Sequence, residues 1–146
     1  MAARAILDTN VLIFAHDRSE PAKQQQALRV LDRAQSTQAG ALTAQVLAEF
    51  FSTATRNLAA TLPLDDAARQ VELLARVWPV FPLTTFTILE AVRGTRAYRL
   101  AYHDAQIWAS ARLNQIPIIL SEDFNTGAVL EGVRFVNPFA AEFDLD

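Results

Sequence analysis

The chain has 146 residues, 51% of them hydrophobic, carries a formal net charge of −3 and contains no cysteine. That length and apolar content fit one domain spanning residues 1–146, with a core large enough to need no covalent staples. The lack of cysteine excludes disulfides and thiolate metal sites and suits a reducing cytoplasm, and two histidines, His16 and His103, are too few for the usual zinc constellations.

In chain order, Ala5, Ile6 and Leu7 predict a short strand ending at Asp8, and Val11 to Ala15 predict a short helix after it. Ser19, Glu20 and Pro21 read as an N-cap with proline in the first turn of a longer helix, whose apolar face is Ala27, Leu28, Val30, Leu31 and Ala34. Gly40 interrupts the pattern. Ala41 and Leu42 predict a second strand, followed by a helix in which Val46, Leu47, Phe50, Phe51, Ala54 and Leu58 recur at helical spacing.

Pro63, Asp65 and Asp66 open a further helix, with Val71, Leu74 and Trp78 inward, which Pro79 ends. Val80 to Leu83 predict a third strand, placed at a sheet edge because Pro82 cannot donate to a ladder. A helix with Ile88, Leu89 and Val92 as its apolar positions runs from Thr85 toward Tyr98, and Asp104 begins another with Ile107, Trp108 and Ala111 on one face. Ile118 to Leu120 and Val133 to Val136 predict two last strands before Asn137 and Pro138, and the acidic tail from Ala140 to Asp146 is expected to be loosely held. The phenylalanines fall mostly at periodic or strand positions and are expected in the core.

Strands alternating with helices predict an α/β fold, a three-layer α/β/α sandwich around a central, mainly parallel sheet of four or five strands. Such sheets place their sites beyond the carboxyl ends of the strands, where Asp8 and Asp123 each follow a strand. No apolar run approaches the roughly 18 to 20 residues of a membrane span, and no secretion signal is read at the N-terminus, so a soluble protein is expected.

Four acids carry the functional reading: Asp8, Glu49, Asp104 and Asp123. Singly, Asp8 and Asp104 read as helix caps, and Asp123 with Asn125 and Gly127 reads as a turn. Glu49 differs, since it lies at the rim of the apolar stripe Val46, Phe50, Ala54, where an acid is a candidate ligand. Gathering all four requires a counter-charge, because two carboxylates 4 Å apart repel by about 4 kcal/mol at an effective dielectric of 20. With no cysteine available, the cation that suits such a cluster is a hard one, magnesium or manganese.

The segments Ile6-Leu7-Asp8-Thr9-Asn10-Val11-Leu12, Thr43-Ala44-Gln45-Val46-Leu47-Ala48-Glu49, Tyr102-His103-Asp104-Ala105 and Leu120-Ser121-Glu122-Asp123-Phe124 together resemble the PIN-domain family. More narrowly they resemble the VapC-type toxins of bacterial toxin–antitoxin pairs, and Gly132 to Phe139 is similar to a C-terminal strand of that subset. The resemblance spans nearly the whole chain in the same order. It implies a cytoplasmic, Mg2+- or Mn2+-dependent endoribonuclease that cleaves RNA phosphodiester bonds by metal-activated water.

It also implies an antitoxin partner with a basic segment, and a homodimer. Asp8, Glu49, Asp104 and Asp123 match the family's acidic quartet, with Asp8, Asp104 and Asp123 as metal ligands and Glu49 as a water-mediated ligand or a base. Thr9 and Ser121 match hydroxyl positions beside them. Glu122 departs from the pattern by placing a second acid next to Asp123.

His103 reads as a surface residue with proton donation to a leaving group as the alternative, His16 reads as a surface residue, and Arg93, Arg96 and Arg99 read as a solvated helix face with RNA phosphate contacts as the alternative. A haloacid-dehalogenase-like phosphatase requires an aspartate where Asn10 stands, and a receiver domain requires a late lysine where the only lysine is Lys23. Two readings stay open beside the toxin: an RNA-processing nuclease, and a non-catalytic acidic module that binds a basic peptide.

Overall fold

The computed structural model describes residues 3–56, 62–124 and 126–143. Leu58, Asn125 and the last three residues of the tail lie outside the described set. Elements run β1 (Ala5–Leu7), α1 (Thr9–Phe14), α2 (Pro21–Ser36), β2 (Gly40–Thr43), α3 (Ala44–Arg56), α4 (Leu64–Val77), β3 (Val80–Phe81), α5 (Thr85–Tyr98), α6 (Tyr102–Leu113), β4 (Ile118–Leu120), β5 (Val129–Leu130) and β6 (Val133–Val136).

The strands form one six-stranded sheet in the order β3-β2-β1-β4-β6-β5. All neighbours are parallel except β5, which pairs antiparallel with β6. The sixth strand, unforeseen in the sequence, is two residues long and forms a hairpin around Glu131 and Gly132, both at positive φ. β3 is an edge strand and stops before Pro82, as a missing N–H requires. Along β1 and β2 consecutive residues are buried, Ile6 and Leu7 fully and all four of Gly40 to Thr43, although their side chains alternate between faces. Both faces of the sheet are therefore covered, which is the α/β/α sandwich expected.

Four local readings differ from the sequence, the first being Leu28, expected on the apolar face of α2 but exposed beside the buried Ala27, Val30 and Ala34. Ser19 does not cap α2; its hydroxyl donates to Asp17 Oδ1 at 2.6 Å, and Glu20 occupies the cap position with Pro21 as the first helical residue. α6 begins at Tyr102, which makes Asp104 its third residue and no cap. On α5 the inward residues are Thr87, Ala91 and Gly94, whereas Phe86, Leu89 and Val92 are exposed. The cause is close packing against α6: a Cβ on Gly94 would stand 2.6 Å from Trp108 Cζ3, so small residues must face that helix. Phe86 is thus an exception to the core assignment of the phenylalanines, while Phe50 and Phe135 obey it.

Trp78 closes the other end of the core, lying so near Gly40 that any Cβ there would meet its ring at 2.2 Å. In the tail, the Phe139 ring packs edge-on against Phe14 at 5.0 Å and Phe143 packs against the core, so this segment is anchored through Phe143 rather than loose.

Candidate active site

Two ladder bonds continue past the strand ends and fix the site's floor. Asp8 N–H donates to Leu120 O at 2.9 Å, and Ser121 N–H donates to Val136 O at 3.0 Å. These bonds hold Asp8 and Ser121 beside one another at the carboxyl edge of β1 and β4, both almost wholly buried. Ser121 Oγ donates to Asp8 Oδ2 at 2.8 Å, accepts the Asp123 N–H at 3.1 Å, and lies 3.0 Å from the Asn10 amide nitrogen. Asp8 also caps α1 through Thr9 N–H at 2.7 Å, so its cap role and its place in the cluster coexist.

α3 brings the next acid. Thr43 ends β2 and its Oγ1 accepts the Val46 N–H at 3.1 Å, so the helix starts directly from the sheet edge. With Val46, Phe50 and Ala54 in the core, Glu49 falls at the helix rim, where Thr9 Oγ1 donates to its Oε2 at 3.2 Å. Asp104 arrives in the first turn of α6, whose stripe Ile107, Trp108 and Ala111 is fully buried. Asp123 follows β4, and the Asn10 amide donates to its Oδ2 at 3.2 Å.

His103 is not the detached surface residue its position suggested. Its Nδ1 is 2.8 Å from Glu49 Oε1, and its Nε2 is 3.5 Å from Asp8 Oδ1 and 4.0 Å from Asp104 Oδ1. The bond to Asp8, followed by the charges of Asp8 and Glu49, raises its pKa to about 9 against the opposing effect of burial. The ring therefore supplies positive charge among three carboxylates. Burial first, and then mutual repulsion among the acids, raises the proton affinity of Asp104 and of Asp123. His16 goes the other way: burial lowers its pKa, and its ring lies 5.6 Å from that of Phe50.

Among the described residues, ligand atoms of Asp8, His103 and Asp104 lie within 4.8 Å of one another, a group compact enough for one metal ion. Asp123 is not among these three, and because a protonated imidazole cannot coordinate, a cation here would replace the His103 proton beside the Asp8 and Asp104 carboxylates, donors that suit a hard divalent ion. Glu122 points elsewhere, into an ion pair with Lys23 at 2.9 Å.

A family model described as PIN domain matches residues 5–129. The chain belongs to the PIN-domain family. Solved structures of similar fold, each at low sequence identity, include the following. A toxin–antitoxin complex from Klebsiella pneumoniae aligns with a TM-score of 0.66 at 20% identity, over 92% of this chain and 97% of that one. VapBC2 from Rickettsia felis, bound to a DNA fragment from its promoter, aligns with a TM-score of 0.64 at 11% identity, over 90% and 96%. VapC20 from Mycobacterium tuberculosis, a sarcin–ricin loop cleaving toxin, aligns with a TM-score of 0.61 at 16% identity, over 79% and 86%. No curated protein gives a significant sequence match.

In this PIN domain the sequence-level site was incomplete in three places. Asn10 bridges Ser121 and Asp123 and so ties two strand ends together. Gln45 donates to Glu49 Oε1 at 3.3 Å and lies 2.9 Å from His103 Nδ1. His103 itself completes the set. A detectable signal existed for Gln45, which stands one helical turn before Glu49 on the same face; for His103 the only signal was adjacency to Asp104. Arg93 leaves the list of RNA-contacting arginines, since it is bound by Glu90 and Glu131.

Proposed function

We propose that this PIN domain, as one domain over residues 1–146, is a divalent-metal-dependent endoribonuclease and the toxin of a toxin–antitoxin pair, acting in the cytoplasm. The observation that carries the reading is the convergence of Asp8, Asp104, Asp123, Glu49 and His103 at the carboxyl edge of the sheet. Asp8, Asp104 and Asp123 would hold Mg2+ or Mn2+. A bound divalent cation supplies charge neutralisation at phosphoryl oxygens and acidifies coordinated water.

The chain's own residues do the rest. Ser121 and Thr9 lock the two oxygens of Asp8, so that carboxylate is oriented before any ligand arrives. Glu49, oriented by Thr9 and Gln45, stands at the rim as the proton acceptor for an attacking water. His103 supplies a local positive charge that lets the acids remain together in the absence of a cation.

The neighbours support the partner assignment, since one is a toxin–antitoxin complex and two are VapBC assemblies bound to DNA. The acidic site favours an antitoxin that presents a basic segment, and the RNA substrate follows the precedent of the loop-cleaving neighbour. Exposed Leu83, Phe86, Leu89 and Val92 supply apolar surface for a second copy, which supports a homodimer.

The deciding experiment is hydrolysis of total RNA by purified protein with Mg2+ or Mn2+, with EDTA, and with the Asp8→Asn variant, followed by sequencing of the new ends. Cleavage at defined sites that needs metal and Asp8 is expected. Cleavage that persists in the variant, or no cleavage with metal, removes the assignment and favours a non-catalytic acidic module that binds a basic peptide.

A further inference from the structure

The acidic site needs something to hold a polyanion, because carboxylates repel the phosphates that flank the one being cleaved. A protein with net charge −3 has no general basic surface to do this. The requirement is local. It directs attention to cations near the site that are not already consumed by ion pairs.

Several of the chain's 13 lysines and arginines are held in acid pairs. Arg93 and Arg112 are tied to Glu90 and Glu131, Lys23 to Glu122, and Arg69 to Asp66. Arg96 and Arg99 are exposed, neither side chain has an acidic or hydrogen-bonding partner among the described residues, and they differ from other such arginines, Arg4 and Arg134 among them, in lining one cavity together. Together with Thr95 and Leu100 they line an open cavity of about 510 Å3 at the C-terminal end of α5. That volume falls within the roughly 300 to 1,000 Å3 of ligand clefts, ample for a nucleotide.

Two further observations point to a ligand there. The Thr95 hydroxyl is buried and has no hydrogen-bond partner among the described residues, and a buried polar atom without a partner is destabilising unless a ligand satisfies it. Second, the cavity sits at the turn that leads into the site. Arg99 precedes Asp104 by five residues, a stretch of chain that cannot exceed roughly 18 Å even when fully extended. Exposed Tyr102 lies between them, with a ring face suited to an unpaired base.

We propose that the cavity lined by Thr95, Arg96, Arg99 and Leu100 is a phosphate-binding station for single-stranded RNA that holds the strand beside the carboxylate cluster. The inference rests on the nuclease reading and names how that site retains its substrate. Arg96 and Arg99 are positioning residues: they grip the sugar–phosphate backbone a few nucleotides from the scissile bond and read no sequence.

The test is binding of a fluorescent single-stranded RNA of about ten nucleotides, measured in EDTA so that no cleavage intervenes, over a range of salt concentrations. The proteins compared are wild type, R96Q/R99Q, R96K/R99K and the control R69Q, which removes the same charge from a surface pair elsewhere. Each lost phosphate contact lowers the salt slope by about 0.7 for a single strand, so the double variant should lose about 1.4 and bind at least about tenfold more weakly. The lysine variant should keep most of the affinity, and R69Q all of it. Wild type that binds no RNA, or equal affinity and slope in wild type and R96Q/R99Q, overturns the station. Loss of antitoxin association by R96Q/R99Q with RNA binding intact overturns it too, in favour of a protein-docking role. A separate arm, cleavage by wild type with Mg2+, reports on the nuclease reading alone.

Discussion

Lys23 Nζ lies 2.9 Å from Glu122 Oε2 and 4.7 Å above the Phe14 ring, an ion pair that joins the first turn of α2 to the loop after β4. It settles how two adjacent acids divide. Glu122 is turned toward α2, whereas Asp123 is held by Asn10 and by the Ser121 hydroxyl that also binds Asp8.

The first prediction follows from that division. Asp123→Asn should lower kcat for RNA cleavage by at least about tenfold, the size expected when a group that supports a metal site is lost. Glu122→Gln should change kcat by less than about twofold and stability by no more than about 1 kcal/mol, as for a partly exposed ion pair. Steady-state cleavage and thermal melting of the two variants check it, and an Asp123→Asn enzyme with normal kcat would refute it.

A second prediction concerns the cation. A ligand that binds only the folded state stabilises it, by about 2.7 kcal/mol at a free concentration one hundred times Kd. For a chain of this size that corresponds to roughly 10 °C in Tm. Millimolar Mg2+ or Mn2+ should therefore raise the Tm of wild type, and the increment should shrink to near zero in Asp104→Asn. The increment is the quantity to compare, since the substitution itself relieves repulsion and shifts the metal-free Tm. An equal increment in both proteins would exclude Asp104 as a ligand.

What the sequence revealed and what it hid have physical causes. β1, β2 and β4 were legible because short apolar runs bounded by Asp8, Gly40 and Ser121 read as strands buried on both faces. Asp8 and Glu49 stood out because one ends a strand and the other lies on the rim of an apolar stripe, whereas Asp104 reads singly as a helix cap and joined them only through the resemblance. β5 escaped because two residues carry no periodicity. The inward face of α5 escaped because Gly94 and Ala91, not Leu89 or Val92, meet α6; hydrophobicity marks burial only where space allows a large side chain. The contact of His103 with Asp8 and Glu49 escaped because those acids come from the end of β1 and from α3, which only the folded chain brings to α6.

Glu90 furnishes a third prediction. Hydrogen bonds from Arg93, opposed by burial and assisted by Arg112, hold its carboxyl at about 2, below its ordinary 4.5. A depressed carboxyl contributes stability that is present above the unfolded value and is lost as pH falls. Wild type should exceed Glu90→Gln in Tm by a constant amount above about pH 4.5, and the gap should narrow as pH drops toward 2. Melting curves of both proteins in metal-free buffer across that window test it, and a gap independent of pH would mean that the network stabilises by packing alone.

His103 furnishes the last, with the opposite sign. Its raised pKa, about 9 against an ordinary 6.5, means that its contribution is fully present below pH 6.5 and lost as pH rises through 9. The cause is the bond to Asp8 and the negative charge of Asp8 and Glu49, so the effect belongs to the metal-free protein. In EDTA, wild type should lose its stability advantage over His103→Gln between pH 6.5 and 9. Saturating Mg2+ should flatten that pH dependence, because a divalent cation among the same carboxylates replaces the charge that the imidazolium provides. Titration of the His103 ring by NMR gives a direct reading of the same quantity. A value near 6.5 in the metal-free protein would show that the carboxylates around it are not held in the arrangement described, and the pH dependence of Tm would then have to come from another group.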